Sequence, residues 1–266
     1  MNEAVKTPPK HGFSGPKYQR DHYNDTLKEI HAKRRYDRLF LVNSVPKSGS
    51  TFTMGVLRKA TDASLEYGGD LELEVEQTFS LSGLLRTTQQ TGNIIYKFHA
   101  QPNFLNVQPI EKLDIRFINI VRNLLDTMIS IDEHLLRGVN KNDVTLWPGL
   151  RIQYYNTWDD EKRLDFICDF IMPWYIRYIY GWGRYDPKSI VYYEEMVGDP
   201  DAYFARVAKR MGLGKGALDH KAVGKNSLRF NVGKIGRGEA LRDTYLPRLR
   251  QYAGYYPKFD FSKVGL

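Results

Sequence analysis

The feature that most constrains the fold is an apolar run that leads into a tight polar turn and then into a helix. The run Leu39-Phe40-Leu41-Val42 predicts a buried strand, and Phe52, Val56 and Ala60 have helical spacing. Between them lies a turn at 46–51 with Gly and small hydroxyl residues. Backbone N–H groups and the helix dipole attract anions at such a helix start. On these residues alone, an anion site and an ordinary strand–turn–helix corner are equal interpretations.

The chemistry of this turn narrows the kind of anion site. Ser48, Ser50 and Thr51 offer hydroxyl donors, and Lys47 offers a mobile cation. The nucleotide triphosphatase loop needs Gly, four residues and then Gly-Lys-Ser/Thr, whereas here Lys47 precedes Gly49. The turn therefore predicts an anion held on a P-loop-like scaffold with a different placement of the lysine.

The rest of the chain alternates predicted strands and helices. Apolar runs predict strands at 38–45, 93–98, 115–121 and 189–193. Helix-like segments are at 51–60, 124–136, 161–180, 200–211 and 239–253, with Asp199 as an N-cap and with Pro173 and Pro247 expected to interrupt two of them. This alternation predicts an α/β fold, a three-layer α/β/α sandwich with a central, mostly parallel sheet.

Composition and length set the domain organisation. The 266 residues suit an N-terminal arm at 1–36, partly flexible with a short surface helix over 25–35, and a single domain at 37–266. The net charge of +8 suits nucleic acid, an acidic membrane or an anionic small molecule. Basic residues are scattered, and only Lys33-Arg34-Arg35 forms a tight run, so no nucleic-acid partner is expected.

Cysteine usage and hydropathy predict the compartment. Cys168 is the only cysteine, so neither an internal disulfide nor a cysteine-rich metal site is expected. The N-terminal residues lack the apolar core of a secretory signal. The most apolar stretch, 166–182, is broken by Asp169, Pro173 and Arg177 and is shorter than a membrane span. We expect a cytoplasmic protein without stable membrane insertion.

The second predicted strand ends in a candidate catalytic pair. Lys97 and His99 are two residues apart and so share one face of the strand. Histidine is a candidate general base because its ordinary pKa is near neutrality. A hydrogen-bonded structural histidine is the alternative, and the neighbouring Lys97 favours the functional interpretation, since a cation is useful near a reacting anion.

The third predicted strand ends in Arg122, at a place where nucleotide triphosphatases often carry an acidic magnesium ligand. An arginine there suits direct recognition of phosphate. Asn123 or Asp126 is expected to cap the following helix, and Ser130 is placed to reach towards the same anion.

Two later segments complete the candidate residues. Tyr193, after the fourth predicted strand, could stack on a base, and Glu194 and Glu195 could cap neighbouring loops. The segment Gly233-Lys234-Ile235-Gly236-Arg237-Gly238 has the composition of an anion-binding loop. A surface loop with solvated charges is the alternative.

These motifs, in this order, resemble those of sulfotransferases that use 3′-phosphoadenosine 5′-phosphosulfate (PAPS). The turn at 46–52 resembles their Pro-Lys-Ser-Gly-Thr-Thr-Trp loop, and Lys97-Phe98-His99 resembles their Lys-Thr-His segment. Arg122-Asn123 with Ser130 is similar to their Arg-Asn-Pro-Lys-Asp…Ser segment, and 193–200 to their Tyr-Glu-Asp…Asp-Pro segment. The resemblance covers about residues 38 to 240.

The resemblance implies a role for each matching residue. Ser48, Gly49, Ser50 and Thr51 would hold the phosphosulfate, Lys47 would stabilise the leaving group, and Lys97 would assist at the sulfuryl group. His99 would take the proton of the acceptor hydroxyl. Arg122 and Ser130 would bind the 3′-phosphate, and Phe52 and Tyr193 would contact adenine. No metal is required.

The C-terminal loop departs from the family pattern. Where the family has Arg-Lys-Gly-x-x-Gly, this chain has Asn231-Val232-Gly233-Lys234-Ile235-Gly236, so both leading cations are missing. Lys234 and Arg237 are their candidate replacements in cofactor binding, together with Gly233.

The sequence thus predicts transfer of a sulfuryl group from PAPS to a hydroxyl of a small-molecule or carbohydrate acceptor, with 3′-phosphoadenosine 5′-phosphate (PAP) as product. A P-loop kinase or nucleotide phosphotransferase is the alternative, and a non-catalytic anion- or nucleic-acid-binding module is a third class. The expected partner is a hydroxyl-bearing acceptor substrate, and the sequence is compatible with a homodimer.

Overall fold

A five-stranded parallel sheet lies at the centre of the computed structural model, which describes residues 17–66, 77–140, 154–223 and 234–266. The strands are β1 (Tyr36–Ser44), β2 (Ser64–Glu66), β3 (Gly92–Phe98), β4 (Arg116–Val121) and β5 (Ile190–Tyr192). Their order in the sheet is β2-β3-β1-β4-β5, and every pairing is parallel. The predicted α/β class with a parallel sheet is confirmed.

Helices cover both faces of this sheet. They are α1 (Lys17–Ala32), α2 (Ser50–Thr61), α3 (Leu81–Thr87), α4 (Phe104–Lys112), α5 (Leu124–Asn140), α6 (Asp160–Phe166), α7 (Met172–Tyr185), α8 (Tyr193–Gly198), α9 (Pro200–Arg210) and α10 (Arg242–Ala253). Among the described residues, no helix is long and apolar enough to span a lipid bilayer.

Strand β1 shows why a continuous apolar run forms the central strand. Side chains alternate between the two faces of a strand, so Leu39 and Leu41 pack into one hydrophobic core while Phe40 and Val42 pack into the other. Both faces are covered, and each of these side chains is at most 2% exposed. A strand buried on both faces has no polar face, as parallel sheets require.

Some elements differ from the sequence predictions. The structure adds β2, α3, α4 and α8, whose segments are too short to show a clear hydrophobic period. The strand predicted at 189–193 ends at Tyr192, and Tyr193 begins α8. The Glu195 carboxylate accepts a hydrogen bond from the Tyr192 backbone N–H at 3.4 Å, which stabilises the start of that helix.

The two helix prolines behave differently. Pro173 lies in the first turn of α7, directly after a π-helical turn at Ile167–Ile171, so the predicted irregularity in the segment 161–180 is confirmed. The predicted interruption at Pro247 is wrong, because α10 continues through it. Proline has no N–H, so the Asp243 carbonyl, four residues earlier, loses its helical hydrogen bond. Both Pro247 and Asp243 are exposed, so water can hydrogen-bond to that carbonyl instead.

The N-terminal helix is longer than predicted and contributes to the core. It starts at Lys17 and ends at Ala32, whereas the sequence predicted a surface helix over 25–35. Leu27 and Ile30 are 0% and 1% exposed and belong to the core cluster that contains Leu39. Tyr23 packs against the same cluster. The sequence predicted a partly flexible arm over residues 1–36. Residues 1–16 of this arm lie outside the described residues.

A buried polar network holds the ends of β1, β3 and β4 together. The Asn43 side chain accepts from the Ala100 backbone N–H at 2.8 Å, and it donates to the Ala100 carbonyl at 3.0 Å and to the Asn119 amide oxygen at 2.8 Å. Trp182 also donates to the Ala100 carbonyl, at 2.7 Å. These bonds fix the backbone immediately after His99.

We expect Asn43→Ala to lower the free energy of unfolding by about 1–3 kcal/mol, because the buried Ala100 N–H loses its partner. The measurement is urea denaturation. Asn93→Ala is the matched control, since Asn93 makes one part-buried bond to the Thr61 carbonyl at 2.8 Å. A cost for Asn43→Ala no greater than that of the control would contradict the importance of this network.

Candidate active site

The turn after β1 is built from two residues with left-handed backbone. Lys47 has φ of 67° and Gly49 has φ of 81°. A Cβ atom on Gly49 would lie 2.7 Å from Met196 Cε and 2.9 Å from Tyr193 Cδ2. Only glycine therefore suits this position, for both its backbone angle and its close packing. The left-handed conformation is unfavourable for Lys47, and strain of this kind is typical of ligand-binding turns.

The carbonyl groups of this turn point into the protein. Val45 O accepts from the Ser48 hydroxyl at 2.6 Å, and Pro46 O accepts from the Tyr175 hydroxyl at 3.0 Å. Lys47 O accepts from Arg122 Nη1 at 3.1 Å. In a trans peptide the N–H points opposite to the carbonyl, so the N–H groups of Lys47 and Ser48 point away from these donors.

Helix α2 begins immediately after this turn. Its N-cap is Gly49, and no side chain caps it. The first N–H groups of a helix have no partner within the helix, and with the helix dipole they favour an anion. The positive end of the α2 dipole and its first N–H groups therefore lie at this turn.

Cations surround the turn. Lys97 Nζ donates to Thr51 Oγ1 at 3.3 Å, which brings the end of β3 to the start of α2. Burial and, to a smaller extent, repulsion from Arg137, Arg122 and Lys97 together lower the pKa of Lys47 to about 8. The turn thus lies in a strongly positive environment that a bound anion would relieve.

One face of α5 contributes to this environment. Asp126, Ser130, Glu133 and Arg137 are spaced so that they share a helix face. Glu133 and Arg137 both act on the Lys47 charge, in opposite directions. Ser130 is only 1% exposed.

Arg122 connects the turn to the C-terminal loop. Its side chain donates to Lys47 O and, through Nη2, to Lys234 O at 3.2 Å. It also forms an ion pair with Asp126 at 3.6 Å, and its guanidinium carbon lies 4.4 Å from the centre of the Tyr193 ring. Arg122 is 4% exposed, and its Nε has no hydrogen-bond partner among the described groups.

The two predicted adenine contacts have different surroundings. Phe52 is partly exposed and packs edge-on against Phe204, with ring centres 5.9 Å apart. Tyr193 is 5% exposed, and Arg122 covers one face of its ring. A base can therefore approach Phe52 more readily than it can stack on Tyr193.

His99 is held just beyond the end of β3. Its backbone N–H donates to Gln77 Oε1 at 2.8 Å, and its ring Nδ1 lies 2.8 Å from the Ser44 carbonyl. A carbonyl only accepts, so Nδ1 carries the proton and Nε2 keeps a lone pair. Burial lowers the pKa of His99 to about 4, with a smaller contribution from the Lys97 charge, so the ring is neutral near pH 7.

The C-terminal loop closes one side of the site. Besides the contact of Lys234 O with Arg122, the Arg237 guanidinium pairs with Glu133. Gly236 N and Gly238 N donate to the two carboxylate oxygens of Asp126 at 2.9 and 2.8 Å. Gly233 was also predicted to bind the cofactor, but it lies outside the described residues.

The structure brings together most of the residues predicted from separate motifs. Direct contacts join Lys97 to Thr51, and Arg122 to Lys47, Tyr193 and Lys234. Of the two residues predicted to cap α5, Asn123 is the one that does so, because its side chain accepts from Asp126 N at 3.1 Å.

Other contributors to the site were not predicted. These are Glu133, Arg137 and Tyr175. The helical spacing of Asp126, Ser130, Glu133 and Arg137 is the sequence signal that could have identified the first two.

Comparisons with known proteins give the fold. No protein-family model matches the sequence, and no curated protein matches it significantly. Among solved structures, mouse sulfotransferase SULT7A1 complexed with PAP matches with a TM-score of 0.58 and 14% identity, covering 90% of this chain and 91% of that one. The chain has the sulfotransferase fold.

A bacterial sulfotransferase fold is also similar. The sulfotransferase from Alicyclobacillus acidocaldarius matches with a TM-score of 0.47 and 14% identity, covering 85% of this chain and 98% of that one. Within the described ranges, no group of three or more His, Cys, Asp and Glu side chains is arranged to hold a metal ion.

We expect Lys47 to titrate near pH 8 and Arg137→Gln to raise its pKa, because this change removes a nearby positive charge. The measurement is a pH titration of ¹³C-methylated lysines by NMR. Arg184→Gln removes an exposed arginine that does not act on Lys47 and serves as the control for net charge. A Lys47 pKa that is unchanged in Arg137→Gln would contradict this electrostatic arrangement.

Proposed function

We propose that this protein is a PAPS-dependent O-sulfotransferase that transfers a sulfuryl group to a hydroxyl of a small-molecule or carbohydrate acceptor. The observation that carries the proposal is the turn at 46–51. Its helix has no side-chain cap, and Lys97 and Arg122 converge on it from β3 and from the end of β4. The sulfotransferase fold supports this assignment.

The residues present fit the nucleotide. The start of α2 has no side-chain cap and offers backbone N–H donors for the phosphosulfate. Arg122 keeps a buried Nε donor without a partner among the described residues, and we assign the 3′-phosphate to Arg122 and to Ser130 on α5. When bound, PAPS supplies an activated sulfuryl group.

The charges at the strand ends favour sulfuryl transfer over the kinase alternative. A magnesium-dependent phosphotransferase places an acidic residue at a strand end for the metal, but this chain has Arg122 there. Lys47 and Lys97, with the N–H groups of the turn, can stabilise negative charge that develops on a leaving phosphate. Positioning and electrostatics then account for catalysis.

His99 is proposed as the general base. Its Nδ1 proton is held by the Ser44 carbonyl at 2.8 Å, which leaves the Nε2 lone pair as the proton acceptor. The lowered pKa keeps the ring neutral, and therefore competent to accept a proton, at any pH well above 4. The positive charge of Lys97 disfavours a protonated His99 ring. An anion bound beside Lys97 would offset this charge and raise the pKa of His99, which would make the ring a stronger base.

The aromatic residues after 146 divide into core and surface groups. Tyr155, Tyr175, Tyr178 and Trp182 are 0% exposed and form part of the core. Tyr154 and Phe170 are 68% and 66% exposed. Among the described residues, most of these aromatic side chains therefore pack in or against the core.

The nature of the acceptor, the cytoplasmic location and a homodimer stay predictions.

Calorimetric titration tests the cofactor class. We expect PAP to bind at least 100-fold more tightly than ATP, with no loss of affinity or of sulfuryl transfer in EDTA. The reason is that the arginine and lysine side chains, and not a metal, neutralise the phosphates. Preference for ATP with magnesium would support the phosphotransferase alternative.

Replacement of the base tests the mechanism. We expect His99→Ala to lower kcat by roughly 10²–10⁴-fold, as for loss of a general base, while PAP affinity changes little. A screen of hydroxyl acceptors must first supply the assay. His31→Ala, which changes a histidine on α1, is the control and should keep normal kcat. Near-normal turnover in His99→Ala would remove His99 from the mechanism.

A further inference from the structure

We propose that Asp126 is a positioning residue that latches the loop 234–238 onto α5, so that the loop and Arg122 together bind the 3′-phosphate of the nucleotide. The proposal rests on the proposed function for the identity of the ligand. In this chain Asn231 and Val232 replace the Arg-Lys pair that precedes the glycine in the family's loop. The latch explains how the loop can contribute to the phosphate site without these two cations.

The carboxylate of Asp126 has an unusual set of partners. Its Oδ1 accepts from Gly238 N at 2.8 Å and its Oδ2 accepts from Gly236 N at 2.9 Å. The same Oδ2 lies 3.6 Å from Arg122 Nη2. Asp126 is 2% exposed, so these bonds form away from water, where charge-assisted hydrogen bonds are strong.

The fit of the loop against α5 is equally specific. A Cβ atom on Gly238 would lie 2.3 Å from the Leu125 carbonyl carbon and 2.6 Å from Asp126 N. Gly236 adopts φ of 77°, a left-handed conformation that glycine allows. The loop backbone therefore packs directly on the first turn of α5, and larger residues could not make this approach.

Two further contacts hold the same loop. Arg122 Nη2 donates to Lys234 O at 3.2 Å, and Arg237 pairs with Glu133, a residue that also acts on the Lys47 charge. The loop is thus tied to α5 at several points, and to the turn at 46–51 through Arg122.

This arrangement explains why Asp126 affects a ligand that it does not touch. Asp126 fixes the loop backbone beside Arg122, whose Nε has no partner in the part of the chain that the structure describes. If the loop moved away, Arg122 would lose its contact with Lys234 O, and its orientation would be set less tightly. The precision of the 3′-phosphate site would then fall, while the phosphosulfate end of the nucleotide would keep its contacts with the turn at 46–51.

The test compares Asp126→Asn with Asp132→Asn. The first keeps the shape of the side chain but removes its charge and one acceptor. The second changes another carboxylate of α5, which accepts from Tyr155 and Arg163 at 2.7 and 2.8 Å and does not contact the loop. Hydrogen exchange at the 236 and 238 amides is measured without nucleotide, and affinity is measured for PAP and for adenosine 5′-phosphate, which lacks the 3′-phosphate.

We expect faster exchange at both amides in Asp126→Asn, and roughly tenfold or greater loss of PAP affinity with less than threefold change for adenosine 5′-phosphate. Asp132→Asn should lower thermal stability but preserve loop exchange and the preference for PAP. Unchanged exchange, or equal losses for the two nucleotides, would overturn the proposal. If the unmodified protein does not bind PAP, the proposed function fails, and the exchange result alone still decides whether Asp126 latches the loop.

Discussion

The site depends on one buried cation. Arg122 is 4% exposed, and burial of a charge is costly unless the charge is paired and hydrogen-bonded. Its partners are the Lys47 and Lys234 carbonyls, the Asp126 carboxylate and the Tyr193 ring. Because these groups belong to the turn after β1, α5, α8 and the C-terminal loop, Arg122 fixes their relative positions. The geometry of the turn follows from this interaction, since a carbonyl held inward directs the next N–H outward.

The same cation makes the site electrostatically unfavourable without an anion. Lys97 reaches Thr51, and the pKa of Lys47 is lowered to about 8 by burial and by neighbouring cations. The free energy of unfolding of a protein is a small difference between large opposing terms. The repulsion between these cations must therefore be offset by favourable interactions elsewhere in the fold. An anionic ligand would relieve the repulsion, and a site that is repulsive when empty favours ligands with several negative charges.

Local sequence patterns predicted much of the fold. The main strands were found because each is a continuous apolar run covered on both faces. Strand β2 and helices α3 and α8 were missed because a few residues carry too little periodic signal. The break at Pro247 was wrongly predicted. A proline is tolerated inside a helix when water can reach the carbonyl that loses its hydrogen bond, and only the tertiary structure shows that Pro247 is exposed.

The sequence by itself determined the strand–turn–helix around Lys47, the Lys97–His99 pair, and Arg122 at a strand end, because each depends on neighbouring residues. Only the tertiary structure decided that Arg122 holds the Lys47 carbonyl across 75 residues and that Asp126 holds Gly236 across 110. It also decided that the Ser44 carbonyl sets which nitrogen of the neutral His99 ring carries the proton. The physical reason is that a hydrogen bond needs two groups within about 3 Å, and for distant residues only the packed sheet and helices bring them that close.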